Sequence, residues 1–190
     1  MNMAGNDPTD IAQSISTHLR EVRKEKGLSL DKAAALTGVS KAMLGQIERG
    51  ESSPTIATLW KIATGLECSF SSFLLDGGSA VLSLASRAQG EFTNDPNMTV
   101  KTLFPFNPET GFEMFELCLT ARHEQYSTAH QIGVTEHIHV TKGTLSVFQE
   151  GTWQTYVSGE QCLLRADQAH GYRDEVGETR FIAVIHYPKR

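Results

Sequence analysis

The stretch from Ser29 to Thr55 carries residue types suited to reading a nucleic-acid surface. Lys41, Ala42, Gln46 and Arg49 are spaced to turn outward on one short helix, while Leu44 and Ile47 turn inward. A glutamine so placed can make two hydrogen bonds to adenine and an alanine can meet a thymine methyl; a good base contact discriminates by ~1–3 kcal/mol. Ser29, Arg49 and Thr55 fall near helix ends, where phosphate contacts form. A second concentration of chemistry lies further along. Six of the seven histidines follow residue 120, and imidazole both ligates metals and exchanges protons near neutral pH.

These side chains need elements to present them. Ser29 can cap a first helix, and Asp31 suits its positive end. Ala33 and Ala34 are small enough for a second helix to cross closely. Gly38 stands where the first helix must stop and turn, and Ser40 caps the second. This predicts a helix-turn-helix, whose second helix enters the major groove. Ile15, Leu19 and Val22 place an apolar stripe on a preceding helix that ends near Gly27. Pro54-Thr55 opens another, with Ile56, Leu59, Trp60 and Ile62 as its buried side, and Cys68–Leu75 predicts a fifth.

Composition and charge bound the rest. The chain has 190 residues, 39% of them hydrophobic, and a net charge of −5. Its three cysteines are far apart, which excludes a disulfide framework and fits a reducing cytoplasm. With no long apolar run, neither secretion nor membrane insertion is expected. We read 1–11 as a flexible N-terminus, 12–76 as the helical domain and 77–97 as a linker, in which Val81, Leu82 and Leu84 could dock on a surface. From 98 to 190 the texture is β-rich. Eight short strands are predicted: Met98–Phe104, Phe112–Thr120, Tyr126–Ile132, Thr135–Thr141, Thr144–Gln149, Trp153–Val157, Gln161–Arg165 and Arg180–Tyr187. This spacing suits a sandwich or small barrel. The fold class is thus α + β in two domains. Residues 1–76 hold eight Lys/Arg against nine Asp/Glu, so one near-neutral module would grip DNA weakly, and a homodimer on two half-sites of a duplex operator is expected.

The five-helix pattern, with V-S-x-x-x-L-x-x-I-E-R-G closing its second helix, resembles the DNA-binding domain of phage repressors (XRE type) over residues 12–76. The resemblance assigns base contacts to Ser40, Lys41, Ala42 and Gln46, and an ion pair from the first helix to the recognition helix to Arg23 and Glu48. Residues 98–188 resemble the cupins, which are jelly-roll β-barrels. One cupin signature falls on His130, Glu136 and Gly143, the other on Gly159, His170 and Asp174. Ile132 stands where the second histidine of HxH would be, and Arg165, Asp167 and Asp174 replace Pro, Gly and Asn of the second motif. Three of four ligand positions of a metal-binding cupin survive: His130, Glu136 and His170. Such a set, with an open position, can hold Zn²⁺, Ni²⁺, Mn²⁺ or Fe²⁺; a metal-free pocket binding an organic ligand is the alternative. On a strand, His137 and His139 point away from Glu136 and Ile138, toward the surface or a dimer interface. Arg122, Tyr126, Ile132 and Tyr172 are the candidate ligand-pocket residues.

Taken whole, with KAMLGQIERGESSPTIATLWKIATGL and the closing VIHYP, the chain resembles cupin-fused repressor-like regulators of the sulphur-utilisation group. The resemblance implies a dimeric, non-enzymatic transcription factor whose cupin senses a small effector such as methionine or cysteine. Two alternatives stand beside it. One is a cupin oxygenase or epoxidase with a structural helical domain, in which His130, Glu136 and His170 ligate iron. The other is an antitoxin-like partner protein.

Overall fold

The computed structural model describes residues 8–74 and 91–188. The chain divides into two compact units at Gly90/Glu91. The first holds α1 (Pro8–Glu25), α2 (Leu30–Thr37), α3 (Lys41–Glu48) and α4 (Ile56–Gly65). Helix α1 begins inside the stretch read as a flexible N-terminus, with Pro8 at its first position, where its missing N–H costs nothing. The expected fifth helix is corrected to a single 3-10 turn, Ser71–Phe73. Phe70 and Phe73 are fully buried there, so packing rather than helix length anchors this segment, and Leu75 lies outside the described residues.

The caps follow the sequence. Ser29 Oγ accepts from the Lys32 amide, Ser40 Oγ from Met43 and Thr55 Oγ1 from Thr58. Gly38 ends α2 at φ 67°, a left-handed conformation that glycine adopts without strain. Ile15 and Leu19 of α1, Leu44 and Ile47 of α3, and Ile56, Leu59 and Ile62 of α4 form the core. Trp60 stacks on Phe70 at 4.0 Å.

The second unit starts at Glu91, before the expected boundary at 98, because β1 (Glu91–Asp95) pairs with β2 (Met98–Asn107). Then come β3 (Phe112–Thr120), β4 (Glu124–Ser127), β5 (Thr135–Lys142), β6 (Thr144–Gln149), β7 (Thr152–Val157), β8 (Gln161–Arg165), β9 (His170–Asp174) and β10 (Glu178–His186). They make an antiparallel six-stranded sheet, β1-β2-β3-β10-β5-β8, and a four-stranded sheet, β4-β9-β6-β7. Where one barrel was expected, the described residues form two separately hydrogen-bonded sheets. Their inner sides meet through contacts such as the Tyr172 and Phe181 rings, 5.2 Å apart. Strand β9 escapes sequence reading because its inward residues, His170, Tyr172 and Asp174, are polar or amphipathic. The strand expected over Tyr126–Ile132 stops at Ser127, and the loop that follows carries His130.

Candidate nucleic-acid interface and histidine–glutamate site

Helix α3 buries Leu44, Gly45 and Ile47 and leaves Lys41, Ala42 and Gln46 exposed, as the sequence predicts. Its C-terminal end is tied to α1. Arg23 Nε and Nη2 donate to the two Glu48 carboxylate oxygens at 2.5 and 2.8 Å, and Arg23 Nη1 donates to the Leu28 carbonyl. Ser16 Oγ donates to the Glu48 carbonyl. A two-toothed guanidinium–carboxylate contact fixes orientation as well as distance, so the exposed side of α3 is held by α1. Ser29, Ser40 and Thr55 are exposed at helix starts, where they serve as caps. Lys41 pairs with Asp31 at 2.9 Å and Arg49 with Glu51 at 2.7 Å, both on the surface. Such exposed pairs are worth ~0–1 kcal/mol and yield to a stronger anion.

In the second unit, β5 alternates Glu136, Ile138 and Val140 inward with His137 and His139 exposed. Glu136 Oε1 lies 3.1 Å from His130 Nε2 and 3.5 Å from His170 Nε2. The side chains of these three residues are 8%, 5% and 1% exposed in the order His130, Glu136, His170. Two loops bring the histidines together. The His130 amide donates to the Ala166 carbonyl, the Ala166 amide to Val134, and the Gly133 amide to Asp167 Oδ2. His170 Nδ1 donates to the Gln168 carbonyl at 2.8 Å, which directs Nε2 toward Glu136. Tyr172 donates its hydroxyl to Glu136 Oε2.

Charge follows from this geometry. Burial opposes ionisation of Glu136, but hydrogen bonds from His130 and His170 outweigh it and hold the carboxyl far below its ordinary range. Burial also lowers the His170 pKa, and the Glu136 hydrogen bond more than reverses this. Burial and the neighbouring Glu136 push the Tyr172 phenol well up, so it remains a donor. Burial raises the Cys162 thiol to about 11, which keeps it protonated.

The three ligand atoms lie within 4.8 Å of one another. Two imidazoles and one carboxylate, with a second-nitrogen hydrogen bond steadying His170, match the donor chemistry of a divalent transition-metal site. Of the expected pocket residues, only Tyr172 joins this cluster. Ile132 is 90% exposed on the loop after His130. Tyr126 is 52% exposed on the outer side of the four-stranded sheet, against Phe148 and Trp153. Arg122 is exposed, with Nη1 on the Glu175 carbonyl. Sequence reading missed the Gln168 carbonyl and Asp167 as supports. Tyr172 stands two residues after His170 on the same side of β9, a spacing that points to Glu136 only once β9 is seen to be a strand.

A Helix-turn-helix family profile matches residues 19–73, the segment that contains α2 and α3. The HTH-type transcriptional regulator SutR of Escherichia coli is 44% identical over 181 residues, covering 95% of this chain and 98% of that protein. The chain belongs to the HTH-type transcriptional regulators. A crystal structure of an HTH_3 family transcriptional regulator from Vibrio cholerae is 47% identical, with a TM-score of 0.83 over 95% of this chain and 99% of that one. The Cupin_2 domain of an XRE family transcriptional regulator from Enterobacter cloacae is 33% identical over 49% of this chain and 99% of that one, with a TM-score of 0.48. As an HTH-type regulator the chain is a DNA-binding protein of the XRE type rather than an enzyme. Among the described residues, no helix of this regulator is long and apolar enough to cross a membrane.

Proposed function

We propose that this regulator reads a specific operator with α3 and that its second unit, a cupin jelly roll, binds a divalent metal and a small effector that together set operator affinity. The observation that carries the DNA half is the exposed Lys41, Ala42 and Gln46 on a helix whose other side is fully used in packing. Gln46 and Ala42 read bases; Ser40 and Lys41 contact the operator at the helix N-terminus; Ser29, Arg49 and Thr55 take phosphates, with Arg49 exchanging Glu51 for the backbone. A single module of this size buries only ~600–1,000 Å² on DNA, which supports a homodimer on half-sites about 34 Å apart.

The His130–Glu136–His170 cluster supports the sensor half. These residues would hold the metal, and the remaining coordination position would accept an acidic or sulphur-bearing end of an effector such as methionine or cysteine. An effector that binds one arrangement of the dimer better shifts DNA affinity by that difference in free energy. The setting is the cytoplasm, with all three cysteines reduced.

The test is selection of duplexes from a random library by the full chain, followed by fluorescence anisotropy at fixed salt. Recovery of a two-half-site consensus, with discrimination lost in Gln46→Ala, is the expected result. Binding of all duplexes alike, unchanged in Gln46→Ala, would overturn it.

A further inference from the structure

We infer that Tyr172 is a positioning residue that presets Glu136 to ligate through one oxygen only. This rests on the reading of His130, Glu136 and His170 as a metal site. The two carboxylate oxygens of Glu136 have different surroundings. Oε1 faces both histidine Nε2 atoms, at 3.1 and 3.5 Å, whereas Oε2 accepts the Tyr172 hydroxyl. A lone pair engaged by a buried phenol is turned away from the metal position. The result is a site of three single-atom donors, in which neither Glu136 oxygen is left to take up the open position.

The positioning is built into the strands. Tyr172 and His170 lie on the same side of β9, so the element that supplies one ligand also supplies the restraint on another. The Tyr172 ring is fixed by Phe181, 5.2 Å away on β10, and by the His170 ring at 6.0 Å. Gly171, between the two, lets β9 approach its neighbour closely: a Cβ there would lie 2.8 Å from the Gln125 carbonyl oxygen. On the other ligand, the Gln168 carbonyl fixes His170. Glu136 and His170 thus each carry a hydrogen bond on the side away from the metal position, and the Tyr172 bond decides how many atoms Glu136 offers. With its hydroxyl removed, Glu136 can swing to bind through both oxygens and occupy the position an effector would use.

The experiment uses the full chain loaded with Co²⁺ alone, comparing wild type with Tyr172→Phe, which keeps the ring and removes only the hydroxyl. Visible absorption reads coordination number, and competition with a chromophoric chelator reads affinity. The expected results are weaker visible bands in Tyr172→Phe, from a higher coordination number, and a change in Co²⁺ affinity of about 10–100-fold, typical of a lost outer hydrogen bond. Infrared difference spectra of wild type with and without Co²⁺ need no variant and remain decisive should Tyr172→Phe fail to fold. A widened separation of the carboxylate stretches is expected for one-oxygen ligation. Unchanged bands and affinity in Tyr172→Phe, or a narrowed separation in wild type, would overturn the inference while leaving the metal site standing. No Co²⁺ uptake by wild type would overturn both.

Discussion

At the scale of single residues, groups that look alike in composition do separate work. Gln46 is exposed and carries no packing, so Gln46→Ala should leave the melting temperature within about 1–2 °C of wild type while lowering discrimination by ~1–3 kcal/mol at one base pair per half-site; thermal melts and anisotropy on matched and mismatched duplexes check this. Arg23→Ala should act first on stability. The Arg23 and Glu48 side chains are 15% and 8% exposed, between a surface pair and a fully buried one, so the loss should be about 2–3 kcal/mol in urea unfolding of the helical unit. His130→Ala with His170→Ala should abolish uptake of one Zn²⁺ or Ni²⁺ per chain, read by native mass spectrometry, with the DNA-contact residues untouched.

At the scale of elements, most of the helices and strands are legible because alternation and caps are local signals. The β5 pattern placed His137 and His139 on the surface and Glu136 inside, and the structure agrees. What escaped was set by tertiary context. Residues 91–95 form a strand only because β2 lies beside them. Strand β9 has no apolar alternation because its inner side is the site itself. Tyr126 and Ile132 were expected in the pocket, but Tyr126 alternates outward on β4 beside buried Gln125, and Ile132 lies exposed in the loop that follows Ser127. Gly65 is a further case: a Cβ there would lie 2.5 Å from Thr37 Cα and 2.6 Å from the Leu36 carbonyl oxygen, so α4 meets α2 with no room for a methyl. Gly65→Ala should destabilise by ~1–3 kcal/mol through overpacking, measured by urea unfolding. Helix α1 also carries a pH dependence. Ser72 Oγ donates to the Ser69 carbonyl, so it accepts from His18 Nε2–H. Burial, only partly offset by Glu21 and Glu25, lowers the His18 pKa. The unfolded chain therefore binds the proton first as pH falls below about 6.5, and this contribution to stability shrinks from there downward. His18→Gln should flatten that part of the stability profile between pH 7 and 5.5.

At the scale of the whole molecule, two units with different chemistry are joined in one chain: a DNA-reading helix pair and a sheet pair holding a histidine–glutamate cluster. Their joining makes sense as regulation if occupancy of one alters the binding of the other, and coupling free energies of this kind usually correspond to 5–150-fold in affinity. The measurement that tests this most directly is operator affinity by fluorescence anisotropy at fixed salt, on the selected duplex, for one preparation stripped by chelator and then reloaded with Zn²⁺ or Ni²⁺, alongside His130→Ala/His170→Ala. If the two units are coupled, reloading changes the wild-type Kd at least about fivefold and leaves the double variant unchanged. Equal affinity for stripped and reloaded wild type would contradict that coupling, leaving a DNA-binding protein whose second unit does not report on the metal.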